Sequence, residues 1–186
     1  MEFVISHKTK VAQMSPDMKI TQVKSNGKSL KNIELPDVMT AIRSGEQARV
    51  VNEHRGILSS SMPGDRNIHA TDIPVLLFAA RFRKKESRIE YQVYNGLVLM
   101  DVGNLADREA GEVKRLASLA PQTMAAFVGS SGKSVKILVP FVLPDGSLPE
   151  KRELAELFHA VAYRRAVAFY QAHLQRHIEM GEEASL

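Results

Sequence analysis

The apolar positions along the chain change period several times, from two to about 3.6 and back, as strands interleaved with helices require. Phe3 to Ser6 is a short apolar run that predicts a strand. Met18, Ile20 and Gln22 set against Lys19 and Thr21 predict an edge strand over Met18 to Val23. Ser25-Asn26-Gly27-Lys28 then predicts a turn. Leu35 to Ser44 predicts a helix with Val38, Met39 and Ile42 on one face. Pro36 suits its first turn and Gly45 its C-terminal cap. A second helix is expected from Glu46 to His54, and a loop from Gly56 to Asp65, where serines and Pro63-Gly64 cluster. Ile73 to Phe82 predicts one strand, with Pro74 at its start because proline cannot donate to a ladder. Arg83 to Arg88 reads as a charged hairpin connection.

The pattern is densest from Tyr94 to Pro140, which reads strand, helix, strand, strand. Leu97 to Met100 is an uninterrupted apolar run, suited to a central strand, with Asp101 at its exposed end. Leu105 to Leu119 has helical spacing, with Asn104 as its N-cap and Asp107 and Glu109 where the helix dipole favours anions. Leu105, Val113, Leu116 and Ala117 are expected to face inward. Thr123 to Val128 and Val135 to Phe141 predict two strands joined by a Gly/Ser/Lys turn. Ser147-Leu148-Pro149-Glu150 has the capping-box pattern and is expected to open a helix running nearly to Ile178. Leu154, Leu157, Phe158, Val161 and Ala162 would form its core face. His173 and His177 stand four apart on that helix, a chelating spacing, but without a His-Glu-x-x-His pattern they read as exposed helix histidines.

Composition narrows the class. The 186 residues are 44% hydrophobic and 25% charged, the profile of a soluble globular chain with a real core. No run approaches the roughly 20 apolar residues of a membrane span. The first residues carry no basic segment of a signal peptide. There is no cysteine, which excludes disulfides and thiolate metal sites. Together these predict a cytoplasmic protein with no membrane partner. The net charge of +4 permits contacts to nucleic-acid phosphates without demanding them. Lys19, Lys24, Lys28 and Lys31 make the N-terminal arm basic.

Two pieces of this pattern carry chemistry. One is Asp101, a carboxylate at the end of a buried strand. The other is Ser130-Ser131-Gly132-Lys133-Ser134, a turn of small residues framed by Lys133 and Lys136. Such a turn offers backbone N–H groups and positive charge to an anion. An acid beside it suggests a metal-assisted phosphate site. On spacing alone the two also read as an ordinary edge aspartate and an ordinary hairpin.

Three blocks, in this order, resemble one family: Ile73 to Phe82, Asn95 to Leu105 with Asp101, and Ala125 to Pro140 with Ser131-Gly132-Lys133. They look like the VirE N-terminal domain family, a branch of the archaeo-eukaryotic primase-like (primase–polymerase) superfamily. The resemblance covers roughly residues 36–178. It implies a first motif of apolar strand, Asp-x-Asp and helix start, whose carboxylates hold Mg²⁺ or Mn²⁺ for nucleotidyl transfer. Asp101 matches the first carboxylate, and Gly103 occupies the place of the second. It implies a second motif, Ser-Gly-x-Gly-x-His or Lys, whose last residue faces nucleotide phosphates. Ser131, Gly132 and Lys136 match it, while Ser134 replaces the second glycine and Lys133 fills a variable place. A third acidic motif follows the long helix in that family and is expected beyond Leu186.

The resemblance implies an α+β fold, a mixed, partly antiparallel sheet with packed helices and a long C-terminal helix. It implies one primase-like domain over 1–186, with a basic arm at 1–34, a core at 35–178 and a tail at 179–186. A helicase-like ATPase domain is expected downstream. The expected function is a nucleic-acid- and nucleotide-binding domain of a mobile-element replication protein, DNA rather than RNA, impaired in catalysis. Asp101 would be the residual metal ligand and, with Lys136, the catalytic pair; Ser130, Ser131, Gly132, Lys133 and Lys136 would contact phosphate. One alternative is an active nucleotidyltransferase whose other acids, such as Asp65 or Asp72, lie elsewhere or downstream. The other is a structural or protein-interaction module without a site.

Overall fold

A computed structural model describes residues 18–24, 29–60, 73–86, 88–106, 108–181 and 186. The strand expected at Phe3 to Ser6, the turn at 25–28, and Pro63, Asp65, Asp72 and Asp107 lie outside the described residues. The order of elements is β1 (Lys19–Val23), β2 (Leu30–Glu34), α1 (Leu35–Ser44), α2 (Ala48–Ser60), β3 (Val75–Leu77), β4 (Ala80–Lys85), β5 (Arg88–Tyr94), β6 (Leu97–Val102), α3 (Glu109–Leu119), β7 (Ala125–Val128), β8 (Val135–Pro140) and α4 (Arg152–Leu174). The fold is α+β with a long C-terminal helix, as expected, and every pairing among the described strands is antiparallel. No described helix is long and apolar enough to cross a membrane.

The sheet that positions the site has the order β6-β8-β7. In it β6 and β8 bury both faces, as the apolar runs Leu97 to Met100 and Ile137 to Val139 require. On one face Val98, Met100 and Val102 of β6 and Ile137 and Val139 of β8 share a core with Val113 of α3 and Phe158 and Ala162 of α4. On the other face Leu97 and Leu138 meet Ile20, Leu35, Val38 and Phe78. The remaining strands form the sheets β2-β1-β3 and β4-β5. Thr21 joins these two sheets, its hydroxyl accepting from the Phe82 N–H at 2.9 Å and donating to Asn32 Oδ1 at 2.8 Å.

Several boundaries differ from the sequence expectation, each for a physical reason. Ile73 to Phe82 is not one strand: it breaks at Phe78-Ala79 into β3 and β4, which belong to different sheets. Asn95 holds the break, its amide donating to Phe78 O and Lys19 O at 3.0 Å, while its N–H donates to Ala79 O. The charged connection is shorter than expected, because Arg83 to Lys85 pair with Arg88 to Glu90 as strands. The second helix runs through the expected loop as far as Ser60. The helix expected from Leu105 begins only at Glu109, because buried Leu105 donates its N–H to Lys133 O and so holds the chain off the helix. Asn104 is accordingly no N-cap and sits at φ 56°.

The capping-box pattern at Ser147 also misleads. Ser147 turns its N–H and hydroxyl onto Asp145 Oδ1, and α4 starts at Arg152 without a side-chain cap. The buried face of α4 is set by Ala155, Phe158, Ala162, Tyr163, Ala166 and Tyr170. Leu154 and Leu157, expected in the core, are 53% and 67% exposed. The helix ends at Leu174, where Gln175 adopts a left-handed cap.

Candidate functional site

The β6–β8 register sets Leu99 opposite Leu138 and Asp101 opposite Lys136. Side chains two apart on a strand share a face. Asp101 and Lys136 therefore lie on the face of Leu97 and Leu138, one pair short of the ladder's end at Val102–Val135. Lys136 Nζ donates to Asp101 Oδ2 at 2.8 Å, with the two side chains 25% and 34% exposed. The other oxygen, Asp101 Oδ1, is buried and without a hydrogen-bond partner. Such an atom costs about 1–3 kcal/mol when it is left unpaired. An ion pair this open contributes about 0–1 kcal/mol, so stability alone does not explain the arrangement.

The expected phosphate turn adjoins this pair, because β8 leads straight out of it into Val135 and Lys136. Its backbone is largely occupied with itself. Gly129 N–H donates to Ser134 O, Gly132 N–H to Gly129 O, and Lys133 N–H to Ser131 Oγ. Those three N–H groups are spent inside the turn rather than presented to an anion. Gly132 takes φ +78°, the left-handed region glycine fills without strain. At Gly129 an added Cβ would collide with Ser134 Oγ. What the turn offers outward is the exposed side chain of Lys133, with Lys136 behind it.

Arg55 of α2 is the residue the sequence reading misses here. Its Nε donates to Ser130 O and its Nη2 to Gly129 O, both at 3.1 Å. The guanidinium thus gathers two carbonyls of the turn and fixes it against α2. The separation of 75 and 74 positions leaves no local signal for this contact.

Beside Asp101, a cavity of about 550 Å³ opens along β6 and the segment after α4, lined by Asp101, Gly103, Arg176, His177 and Glu179. That segment is pinned. Ile178 is buried and donates its N–H to Gln171 Oε1, and Gly181 N–H donates to the Tyr163 hydroxyl. Arg176 Nη2 donates to Glu109 Oε1 at 2.7 Å, and Glu109 Oε2 accepts from the Ala106 N–H at 2.6 Å. That N–H, with the Arg176 guanidinium, holds the Glu109 carboxyl below its usual range. The two histidines of the chelating spacing part company: His177 lies beyond the helix, while His173 stacks on Phe169 and sits 3.0 Å from Leu116 O.

Asp101 and Gly103 by themselves do not fit a resident divalent ion. Magnesium in phosphate-handling sites is held by one or two carboxylates together with substrate oxygens. Here an ammonium takes Oδ2 of Asp101, Oδ1 is buried, and Gly103 brings no side-chain donor. Among the described residues no three His, Asp or Glu side chains are grouped to share one ion. The arrangement suits contact with a polyanion through Lys133 and Lys136.

A sequence model of the domain family described as BT4734-like, N-terminal domain, matches residues 69–184. The match takes in β3 to α4 with Asp101, the turn, Lys136 and Glu179, and leaves out β1, β2, α1 and α2. No curated protein and no solved structure matches the chain.

Proposed function

The chain belongs to the BT4734-like N-terminal domain family, and on that premise we propose that it is a primase-like domain of a mobile-element replication protein. It binds single-stranded DNA and nucleotides and is impaired in catalysis. The order of the Asp101 block and the Ser131-Gly132-Lys133 block, which resembles that of VirE N-terminal domains, supports the primase-like reading. The observation that carries it is the pairing of Asp101 with Lys136 at one end of the sheet, beside the turn that bears Lys133. In this reading Lys136 and Lys133 meet the phosphates. Asp101 holds the Lys136 ammonium in place until a phosphate competes for it. Impairment follows from Gly103, which stands where a second carboxylate is needed.

The test is anisotropy of labelled single-stranded DNA at several salt concentrations. Each lost phosphate contact lowers the slope of log affinity against log salt by about 0.7. Lys136→Ala and Lys133→Ala should each weaken binding about tenfold at low salt and flatten that slope. Unchanged affinity in both variants rejects the reading.

One observation favours a second reading, an active nucleotidyltransferase: Glu179 lines the same cavity as Asp101, after the long helix. Incorporation of labelled deoxynucleotide in the presence of Mg²⁺ or Mn²⁺, lost in both Asp101→Ala and Glu179→Gln, would establish it. Absence of incorporation with intact DNA binding leaves the first reading standing.

A further inference from the structure

β7 is the outer strand of the β6-β8-β7 sheet, and its far edge pairs with no other described strand. The hydrogen bond from Gly129 N–H to Ser134 O sets the phase of the β7–β8 ladder. In that phase Ala125 and Phe127 turn their main-chain groups to β8, while Ala126 and Val128 turn theirs outward. The outward edge floors a groove of about 530 Å³ along residues 123–128. Met39, Ile42 and Arg43 of α1 form one wall, and Lys114 and Ser118 of α3 form the other.

Folded proteins usually guard a free edge with charge, proline or a bulge. Ala125-Ala126-Phe127-Val128 carries neither charge nor proline. Among the described residues no acidic side chain lines the groove. Among the described residues neither Arg43 nor Lys114 is in an ion pair, and both are exposed.

We propose that this groove receives an extended segment of a partner protein, which adds a strand to β7 and sets acidic side chains against Arg43 and Lys114. Three features select that occupant. The edge offers N–H donors and C=O acceptors in alternation, which a peptide backbone matches. Phosphates only accept, so the sugar–phosphate backbone of DNA would leave the outward carbonyls of Ala126 and Val128 without a donor. A second copy of this chain, paired edge to edge, would bring like charges from Arg43 and Lys114 together. The apolar side chains of Met39 and Ile42 give the non-acidic positions of the segment something to cover. The proposal is independent of the DNA-binding reading, because it uses neither Asp101 nor the turn lysines.

The test is anisotropy with the full chain and a labelled short peptide that repeats Val-Val-Glu-Glu, so that glutamates reach both walls of the groove. The peptide should bind. A peptide with lysine in place of glutamate, and one N-methylated on alternate backbone amides, should each bind about tenfold more weakly. The double variant Arg43→Glu, Lys114→Glu, altered only on exposed side chains, should lose affinity for the glutamate peptide about tenfold and gain it for the lysine peptide. The inference is overturned if the glutamate peptide does not bind, if N-methylation changes nothing, or if charge reversal leaves the preference intact. It is also overturned if sedimentation shows the chain dimerising through this edge, with dimerisation lost in Ala126→Pro.

Discussion

Lys136 faces Asp101 directly across the β6–β8 ladder, with its ammonium 2.8 Å from the carboxylate, although 35 positions separate them in sequence. A pair this exposed adds little to stability, so its substitutions should act on binding. Asp101→Asn keeps the shape and removes the charge that competes with phosphate for Lys136. It should raise single-stranded DNA affinity about threefold to tenfold at low salt, opposite in sign to Lys136→Ala. The melting temperature should move by only a few degrees. A fall in affinity with Asp101→Asn would mean that the carboxylate itself is needed for the ligand.

Arg55 makes the turn a fixed object rather than a mobile hairpin. Replacing it with alanine removes donors from Ser130 O and Gly129 O together. We expect a loss of about 1–3 kcal/mol, seen as a lower urea midpoint, and faster amide exchange at Gly132 and Lys133. Arg55→Lys should not restore the protection, since an ammonium does not reproduce the planar fork that reaches two carbonyls at once. Exchange rates equal to those of the parent chain would show that the turn holds itself.

Gly96 connects β5 to β6 at φ +69°, and an added Cβ would lie 2.6 Å from both Phe141 O and Leu148 Cδ2. The leucine can rotate away; the carbonyl cannot, because Phe141 N–H is already bonded to Gly96 O at 2.7 Å. Gly96→Ala should therefore cost about 3 kcal/mol or more, through positive φ and a clash with main chain. Gly56→Ala is the control: no atom lies within 4 Å of its added Cβ, and in a helix it should be neutral or stabilising by about 0.5–1 kcal/mol. Equal midpoints for the two variants would refute the close approach at Gly96.

The contrast between those glycines shows what sequence can and cannot carry. Leu97 to Met100 and Ile137 to Val139 announce buried strands, because an unbroken apolar run has few other places to go. Pro36 and Gly45 mark the ends of α1 for equally local reasons. Even β5 was open to a closer reading, since Ile89, Tyr91 and Val93 alternate with Glu90 and Gln92. The break at Phe78-Ala79 was not legible, because the amide that stabilises it belongs to Asn95. The late start of α3 depends on Lys133 O in the same way, and the rigidity of the turn on Arg55. For the site, the family resemblance joins Asp101 and Lys136 in one expected pair, but no local pattern shows that they touch. Their contact is a matter of strand register, as is the approach of Glu179 a matter of where Ile178 is buried. Long-range partners leave no periodicity to read.

Glu109 gives a prediction in pH. Its carboxylate accepts from the Ala106 N–H and from Arg176, and its folded-state pKa lies below the ordinary 4.5. A depressed carboxylate stabilises the fold above the unfolded pKa, and that contribution disappears as pH falls through the lower folded value. Glu109→Gln keeps the size and removes the charge, so its melting temperature should lie below that of the parent chain near neutral pH. The gap should begin to close below about pH 4.5 and vanish once Glu109 is protonated in both states. Arg176→Met should give the same closing gap by removing one of the two donors. A gap that stays constant with pH would place the effect in packing instead of charge. Because Arg176 begins the segment that brings His177 and Glu179 beside Asp101, acidification should also loosen that wall of the cavity before the sheet unfolds. Amide exchange at Ile178 and Gly181, whose N–H groups are bonded to Gln171 and Tyr163, would report the loosening directly.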